Sequence, residues 1–157
     1  MMTPEFTHVK GDKVQMVDIS GKDEVTREAV AEGRIHLRKD TLRAIREGSL
    51  VKGNVLATAR VAAILAVKET PHIIPLCHPI PLSGIDVDFA NGEGFIRATV
   101  RVRSRGPTGV EMEALTGVSV ALLAIWDMVK SAEKDTAGQY PETGIDGIRV
   151  LSKRKGD

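Results

Sequence analysis

The chain has 157 residues, 42% of them hydrophobic and 27% charged, which suits one soluble domain with a core of its own. A net charge of +1 supplies no global field that would draw it to nucleic acid or to a membrane surface. The single cysteine, Cys77, excludes an intramolecular disulfide framework, and aromatics at 3% leave the core to Val, Ile, Leu, Ala and Met.

Residues 1–13 are polar and unpatterned and read as a flexible tail. They contain no hydrophobic signal core, so no export signal is visible and a cytoplasmic address is expected. Val14 to Ile19 reads as a short extended segment, and the second half of Arg27–Arg38 as a strand. Asp40 is placed to cap a short helix, Thr41 to Glu47, closed by Gly48. Asn54 is placed to cap a second helix that runs to about Glu69 and is stopped by Pro71. Its alanines (57, 59, 62, 63 and 66) permit close packing against another element. Pro75, Pro79 and Pro81 make the stretch from Ile73 to Pro81 an extended loop.

A hairpin follows. Ile85, Val87 and Phe89 alternate with Asp86 and Asp88, and Ile96, Ala98, Val100 and Val102 alternate with Arg97, Thr99, Arg101 and Arg103. The turn at Asn91-Gly92-Glu93-Gly94, with a two- or a four-residue loop, puts the aspartates on the arginine face. The longest predicted helix spans about Gly109 to Lys134, with Leu115, Val118, Leu122, Ile125 and Val129 as its apolar stripe. Its apolar run, Val118 to Met128, is interrupted by Ser119 and Asp127 and is too short to span a bilayer. Ile145 to Leu151 reads as a last strand, and a charged tail closes the chain at 154–157. The pattern predicts a single domain over 14–153, an α+β sandwich with helices on one face of an antiparallel sheet.

Several residues stand out as chemistry. Cys77 and His78 are adjacent in an extended segment and point apart, so they make a poor nucleophile–base dyad. Either Cys77 is a buried small side chain with His78 bonded to backbone, or His78 is a proton carrier held by a proline-stiffened loop. One Cys with His72 and His78 falls short of a structural zinc set. Glu111 and Glu113 lie where a helix dipole favours negative charge, yet on different faces. Asp127 and Lys130 are an i,i+3 pair beside Trp126 and Met128; a partly buried setting would depress the lysine pKa. Lys52, before Gly53-Asn54, stands at a helix N-terminus suited to phosphate. Arg97, Arg101, Arg103 and Arg105 share a strand face, where pairing with Asp86 and Asp88 competes with phosphate binding as an explanation. Glu113 and Asp127 are separated by about 21 Å along one straight helix. If both serve one small molecule, a second chain must complete the site, unless a kink near Gly117 intervenes.

The segments Met16-Val17-Asp18-Ile19-Ser20, Lys52 to Arg60, Ile74-Pro75-Leu76-Cys77-His78-Pro79, Gly109 to Thr116 and Asp127-Met128-Val129-Lys130 occur in an order and spacing that resembles the cyclic pyranopterin monophosphate synthase family, the accessory protein C of molybdenum-cofactor biosynthesis. The resemblance covers about residues 14–153. One departure is Val129, where that family usually has Cys; packing is expected to survive. The resemblance implies a ferredoxin-like fold, assembled as a homohexamer (a trimer of dimers) with sites at the dimer interface. It implies conversion of a cyclised dihydro-GTP, made by a radical S-adenosylmethionine enzyme, to cyclic pyranopterin monophosphate with release of diphosphate. It assigns Asp127, Lys130 and Lys52 to catalysis with His78. Leu76, Cys77, His78, Met112 and Glu113 would line the substrate pocket, with Glu111 and Arg27 as further contacts. No cofactor or dedicated metal ligand is expected, although Mg²⁺ could accompany the triphosphate. Two other readings compete: a non-catalytic nucleotide-binding module on the same scaffold, or a structural oligomer-former with the Leu76–Pro79 loop buried and no pocket beside it.

Overall fold

Alternation along the two hairpin strands sets the sheet, and small residues decide how near the helices come to it. The computed structural model describes residues 2–50 and 54–156. In chain order the elements are β1 (Val9–Lys10), β2 (Lys13–Val14), β3 (Val25–His36), α1 (Lys39–Glu47), α2 (Val55–Ile73), β4 (Leu82–Asn91), β5 (Phe95–Gly106), α3 (Glu111–Glu133) and β6 (Gly144–Lys155). β1 and β2 pair as a small hairpin within the stretch expected to be a loose tail. The main sheet is antiparallel throughout, in the order β4-β5-β3-β6. The chain is thus α+β, with α2 and α3 packed together against the sheet.

Several boundaries differ from the sequence expectation. β3 is a full strand from Val25, because β5 and β6 flank it on both sides and pair with its first half as well as its second. β6 continues to Lys155 through the residues expected to begin a charged tail, held by Arg27 opposite Lys155. Pro71 does not stop α2, which ends at Ile73. A proline in the last turn forfeits a single helical bond, and the Ile74 N–H still donates to the Thr70 carbonyl at 2.8 Å. Asn54 caps α2 as expected, its side chain accepting from the Ala57 N–H at 2.9 Å. Asp40 does not cap α1 but lies in its first turn. The carboxylate of Glu133, arriving from the end of α3, receives the Arg38 N–H (3.2 Å to each oxygen) and the Thr41 hydroxyl instead.

The two faces of the sheet are chemically distinct. Ala29, Ala31 and Ile35 of β3 and Ile96, Ala98, Val100 and Val102 of β5 are buried under the helices. The opposite face carries charge. Arg103 pairs with Asp86 as foreseen (2.7 Å), but Arg101 and Arg97 reach across to Glu28 (3.8 Å) and Glu32 (3.5 Å) of β3. The central strand offers those arginines closer carboxylates than Asp88 does, since Asp88 stands opposite Thr99.

α3 is long and apolar enough to cross a membrane by composition alone, yet Val118, Leu122, Ile125 and Val129 are fully enclosed in the core. It runs unbroken through Gly117. That glycine is a contact point: a Cβ there would lie 2.7 Å from Val67 Cγ2 of α2 and 3.2 Å from Val100 Cγ1 of β5. Gly33 plays the same part on β3, where a Cβ would meet Val118, Leu122 and Ile148 within 2.9 Å. We expect Gly117→Ala to destabilise the fold by about 1–3 kcal/mol through overpacking, against alanine's better helix propensity. Urea unfolding of the variant checks this; a gain in stability would show that α3 can shift outward freely.

Candidate active site

The proline-stiffened loop after α2 and the first turn of α3 face each other across a cavity of about 260 Å³. Leu76, Cys77 and His78 line it from the loop, and Glu111, Met112 and Glu113 from α3. The third wall comes from the N-terminal region, with Val17, Ile19 and Lys22. A turn fixes the loop, the Cys77 N–H donating to the Ile74 carbonyl at 3.1 Å.

Glu113 is the most unusual group in this wall. It is only 3% exposed, and its Oε2 has no hydrogen-bond partner among the described residues. Burial, reinforced by the nearby charge of Glu111, pushes its pKa above the ordinary carboxylate range. A buried polar atom without a partner, facing a cavity, is an acceptor or donor held ready for a ligand. Glu111 behaves oppositely. Burial would raise its pKa, but the hydrogen bond from Lys153, its own backbone N–H, and the charges of Lys153 and Arg27 outweigh that and hold it ionised. The Lys153 Nζ stands 2.7 Å from Glu111 Oε1. Arg27 is anchored at the margin, its Nε donating to the Gly106 carbonyl at 3.2 Å.

Cys77 is half-buried, and burial followed by the Glu113 charge raises its thiol pKa, so it is a wall of the cavity rather than a thiolate nucleophile. His78 faces Asp18, whose carboxyl is held low chiefly by the Ser20 N–H (2.9 Å) and in smaller part by the His78 charge. The loop is therefore neither buried nor pocketless, which removes the reading of a purely structural oligomer-former.

The structure does not bring Asp127 and Lys130 to this cavity. They lie toward the other end of α3, in a shallow depression of about 340 Å³ shared with Leu123, Trp126 and Tyr140. The Lys130 Nζ donates to Asp127 Oδ1 at 2.8 Å. The side chains are 44% and 64% exposed, so the expected desolvation is missing in the single chain. The hydrogen bond from Lys130 to Asp127 and the carboxylate charge raise the lysine pKa, where a lowered one was expected. Val129, between them in sequence, points into the core. Lys52 lies outside the described residues. A larger cavity, about 740 Å³, lies between α1, the start of α2 and β4, and carries Arg46, Asn54, Arg60 and Asp88. We place the chemistry at the smaller cavity, because the unpartnered buried carboxyl and His78 are there.

Two candidate clusters thus lie toward opposite ends of α3. The MoaC family model matches residues 16–156. The chain belongs to the MoaC family. It is 71% identical to a protein of Methanoregula boonei named probable cyclic pyranopterin monophosphate synthase, over 97% of this chain and 98% of that one. A protein of the same name from Methanosphaerula palustris is 69% identical over 98% of this chain and 99% of its own length, and one from Pyrococcus abyssi is 60% identical over 98% and 97%. A relative from Methanothermobacter thermautotrophicus, 61% identical over 99% of this chain and 98% of its own, is named a probable synthase accessory protein. Three of the family segments anticipated from the sequence, around Val17, Cys77 and Met112, line the cavity, while Asn54 to Arg60 and Asp127 to Lys130 lie at other surfaces. Lys22 and Lys153 were not anticipated. Lys22 is an isolated cation and Lys153 belongs to the basic run Lys153-Arg154-Lys155, and only the fold-back of the N-terminal region and the pairing of β6 with β3 carry them to the site.

A raised Glu113 pKa means that the folded chain holds this proton more tightly than the unfolded chain does. Stability then falls as pH rises from the unfolded carboxylate range through the folded pKa, and the loss persists at neutral pH. Glu113→Gln should therefore melt higher than the parent near neutral pH and equally in acid below the unfolded pKa. Melting curves at both pH values test the sign, and equal melting at neutral pH would mean that Glu113 is ionised at no cost.

Proposed function

We propose that this chain is a cyclic pyranopterin monophosphate synthase, a lyase of molybdenum-cofactor biosynthesis. It converts a cyclised dihydro-GTP to cyclic pyranopterin monophosphate and diphosphate. The observation that carries the reading is the convergence of Leu76, Cys77, His78, Glu111, Met112 and Glu113 on one cavity, in a chain that matches its family over residues 16–156.

The chemistry has two parts. The purine-derived ring must be opened and rebuilt, which needs proton donors and acceptors in fixed places. Lys130, kept protonated by Asp127, is a general acid, and Asp127 takes protons back. Glu113, whose pKa burial raises and whose Oε2 has no partner among the described residues, hydrogen-bonds the heterocycle edge. The second part is cyclic phosphate formation. A sugar hydroxyl oxygen bonds to the α-phosphorus as the bond to diphosphate breaks, and the hydroxyl proton passes to a base such as His78. Cations must meet the charge that develops on the leaving oxygens. Lys22, Arg27 and Lys153 surround the Glu111 end of the cavity, and Lys52 is the further lysine assigned by family pattern. No resident cofactor enters this scheme, and Mg²⁺ would arrive on the triphosphate as part of the substrate.

Because the half-sites lie about 21 Å apart along α3, a second copy must bring its Asp127 and Lys130 to the first copy's Glu113 and His78. With α1 and the β1–β2 hairpin as additions, β3-α2-β4-β5-α3-β6 is a β-α-β-β-α-β order, and with the sheet ordered β4-β5-β3-β6 it supports a ferredoxin-like scaffold. On it we propose a homohexamer, a trimer of dimers, working in the cytoplasm downstream of a radical S-adenosylmethionine enzyme.

Diphosphate release from the cyclised intermediate tests the reading. Lys52→Ala and Asp127→Ala should each lose about 10²–10⁴-fold in kcat. Mixing the two variants with subunit exchange should recover part of the activity if the residues come from different chains. A folded parent without turnover would refute the synthase reading and favour a nucleotide-binding module.

A further inference from the structure

The segment between α3 and β6 is built to present one side chain. Asp135 Oδ1 accepts from the N–H groups of Ala137 (2.9 Å) and Gln139 (2.8 Å), and the Asp135 N–H donates to the Gln139 carbonyl at 2.9 Å. Gly138 takes the left-handed backbone conformation, φ 78, which closes the turn. On the far side, the Thr143 hydroxyl donates to the buried Glu133 carboxylate at 2.8 Å. Tyr140 lies between these two anchors, and Pro141 after it restricts its backbone to extended conformations. A loop with this many internal bonds is rigid, and Tyr140 is what it displays.

Tyr140 lands on the Asp127–Lys130 half-site. Its ring meets Trp126 edge-on, with ring centroids 5.2 Å apart and planes at 67°. Both rings line the depression that holds Asp127 and Lys130. Trp126 precedes Asp127 directly in α3, and its indole packs against the hydrophobic core. Edge-to-face contacts of this kind are directional, so the tyrosine ring limits how the indole can turn.

We propose that Tyr140 is a positioning residue of the active site: its ring clamps Trp126 and walls one side of the Asp127–Lys130 pair, fixing where that pair meets the substrate. The proposal rests on the synthase reading for its catalytic half. It stands on the geometry alone for its structural half. The proposal assigns the role to the ring, which makes the contact with Trp126, and not to the hydroxyl, although the latter lies within electrostatic reach of Lys130. Displacing an acid–base pair by as little as an ångström is enough to cost about a hundredfold in rate.

The experiment compares the parent, Tyr140→Phe, Tyr140→Ala and Asp127→Ala in the full-length protein, with kinetics of diphosphate release and steady-state emission. The chain has one Trp and one Tyr, so tryptophan emission reports Trp126 alone. Tyr140→Phe should keep parental kcat and emission. Tyr140→Ala should shift the Trp126 emission to the red and lower kcat about tenfold or more, with KM changed far less and a melting temperature close to the parent's. Parental kcat in Tyr140→Ala, in a protein that Asp127→Ala inactivates, would overturn the proposal. Equal loss in Tyr140→Phe would overturn it too, by moving the role to the hydroxyl. An inactive parent would refute the synthase reading instead, and the emission of Tyr140→Ala would still decide the clamp, an unchanged spectrum ruling it out.

Discussion

The close seat of α3 is the constraint on which the rest of the structure depends. Ala114, Gly117, Ala121 and the alanines of α2 and β3 remove the side-chain bulk that would hold helix and sheet apart. Backbones then approach closely enough for Val118, Leu122 and Ile125 to be fully enclosed between helix and sheet. A core this poor in aromatics has no other way of reaching native density. Because the seat is tight on two sides, α3 packs in one register against α2 and the sheet.

What the two ends of α3 carry follows from where they emerge. The first turn of α3 enters beside the proline loop, so Glu113 is turned inward with its Oε2 unpartnered among the described residues, while Glu111 is turned outward to Lys153. Two carboxylates two residues apart acquire opposite protonation tendencies from this one geometric fact. The last turn delivers Glu133 to the start of α1 and to Thr143, tying three segments with one buried carboxylate. That tie settles the loop in which Tyr140 lies. The Asp127–Lys130 pair, one turn earlier, remains open to solvent. A buried half-site and an exposed one at the two ends of one rod make sense if the exposed half is covered by another chain.

The charged face of the sheet shows how far pairwise rules reach. Alternation along β4 and β5 correctly put Asp86 and the arginines on one face, and the Arg103–Asp86 pair follows from that. The partners of Arg97 and Arg101 did not follow, because they belong to β3, which is remote in sequence and central in the sheet. The same reason explains why β3 and β6 are longer than their patterns suggested. Their ends are held by neighbouring strands rather than by propensity.

The sequence by itself determined the class of fold, the hairpin, the two long helices, the Asn54 cap and the separation between Glu113 and Asp127. These depend on periodicity, turn chemistry and the rise of a helix, all of which are local. The family resemblance of its motifs also named Leu76, Cys77, His78, Glu111, Met112 and Glu113, which line the cavity, together with Asp127 and Lys130, which do not. Only the tertiary structure decided which carboxylate is buried and which is ion-paired, that Lys22 and Lys153 reach the site, that Gly117 is a contact point, and that Tyr140 stands beside Asp127. Each of those rests on groups far apart in the chain meeting at a few ångströms, and the energies of such meetings have no trace in the spacing of residues along one strand or helix.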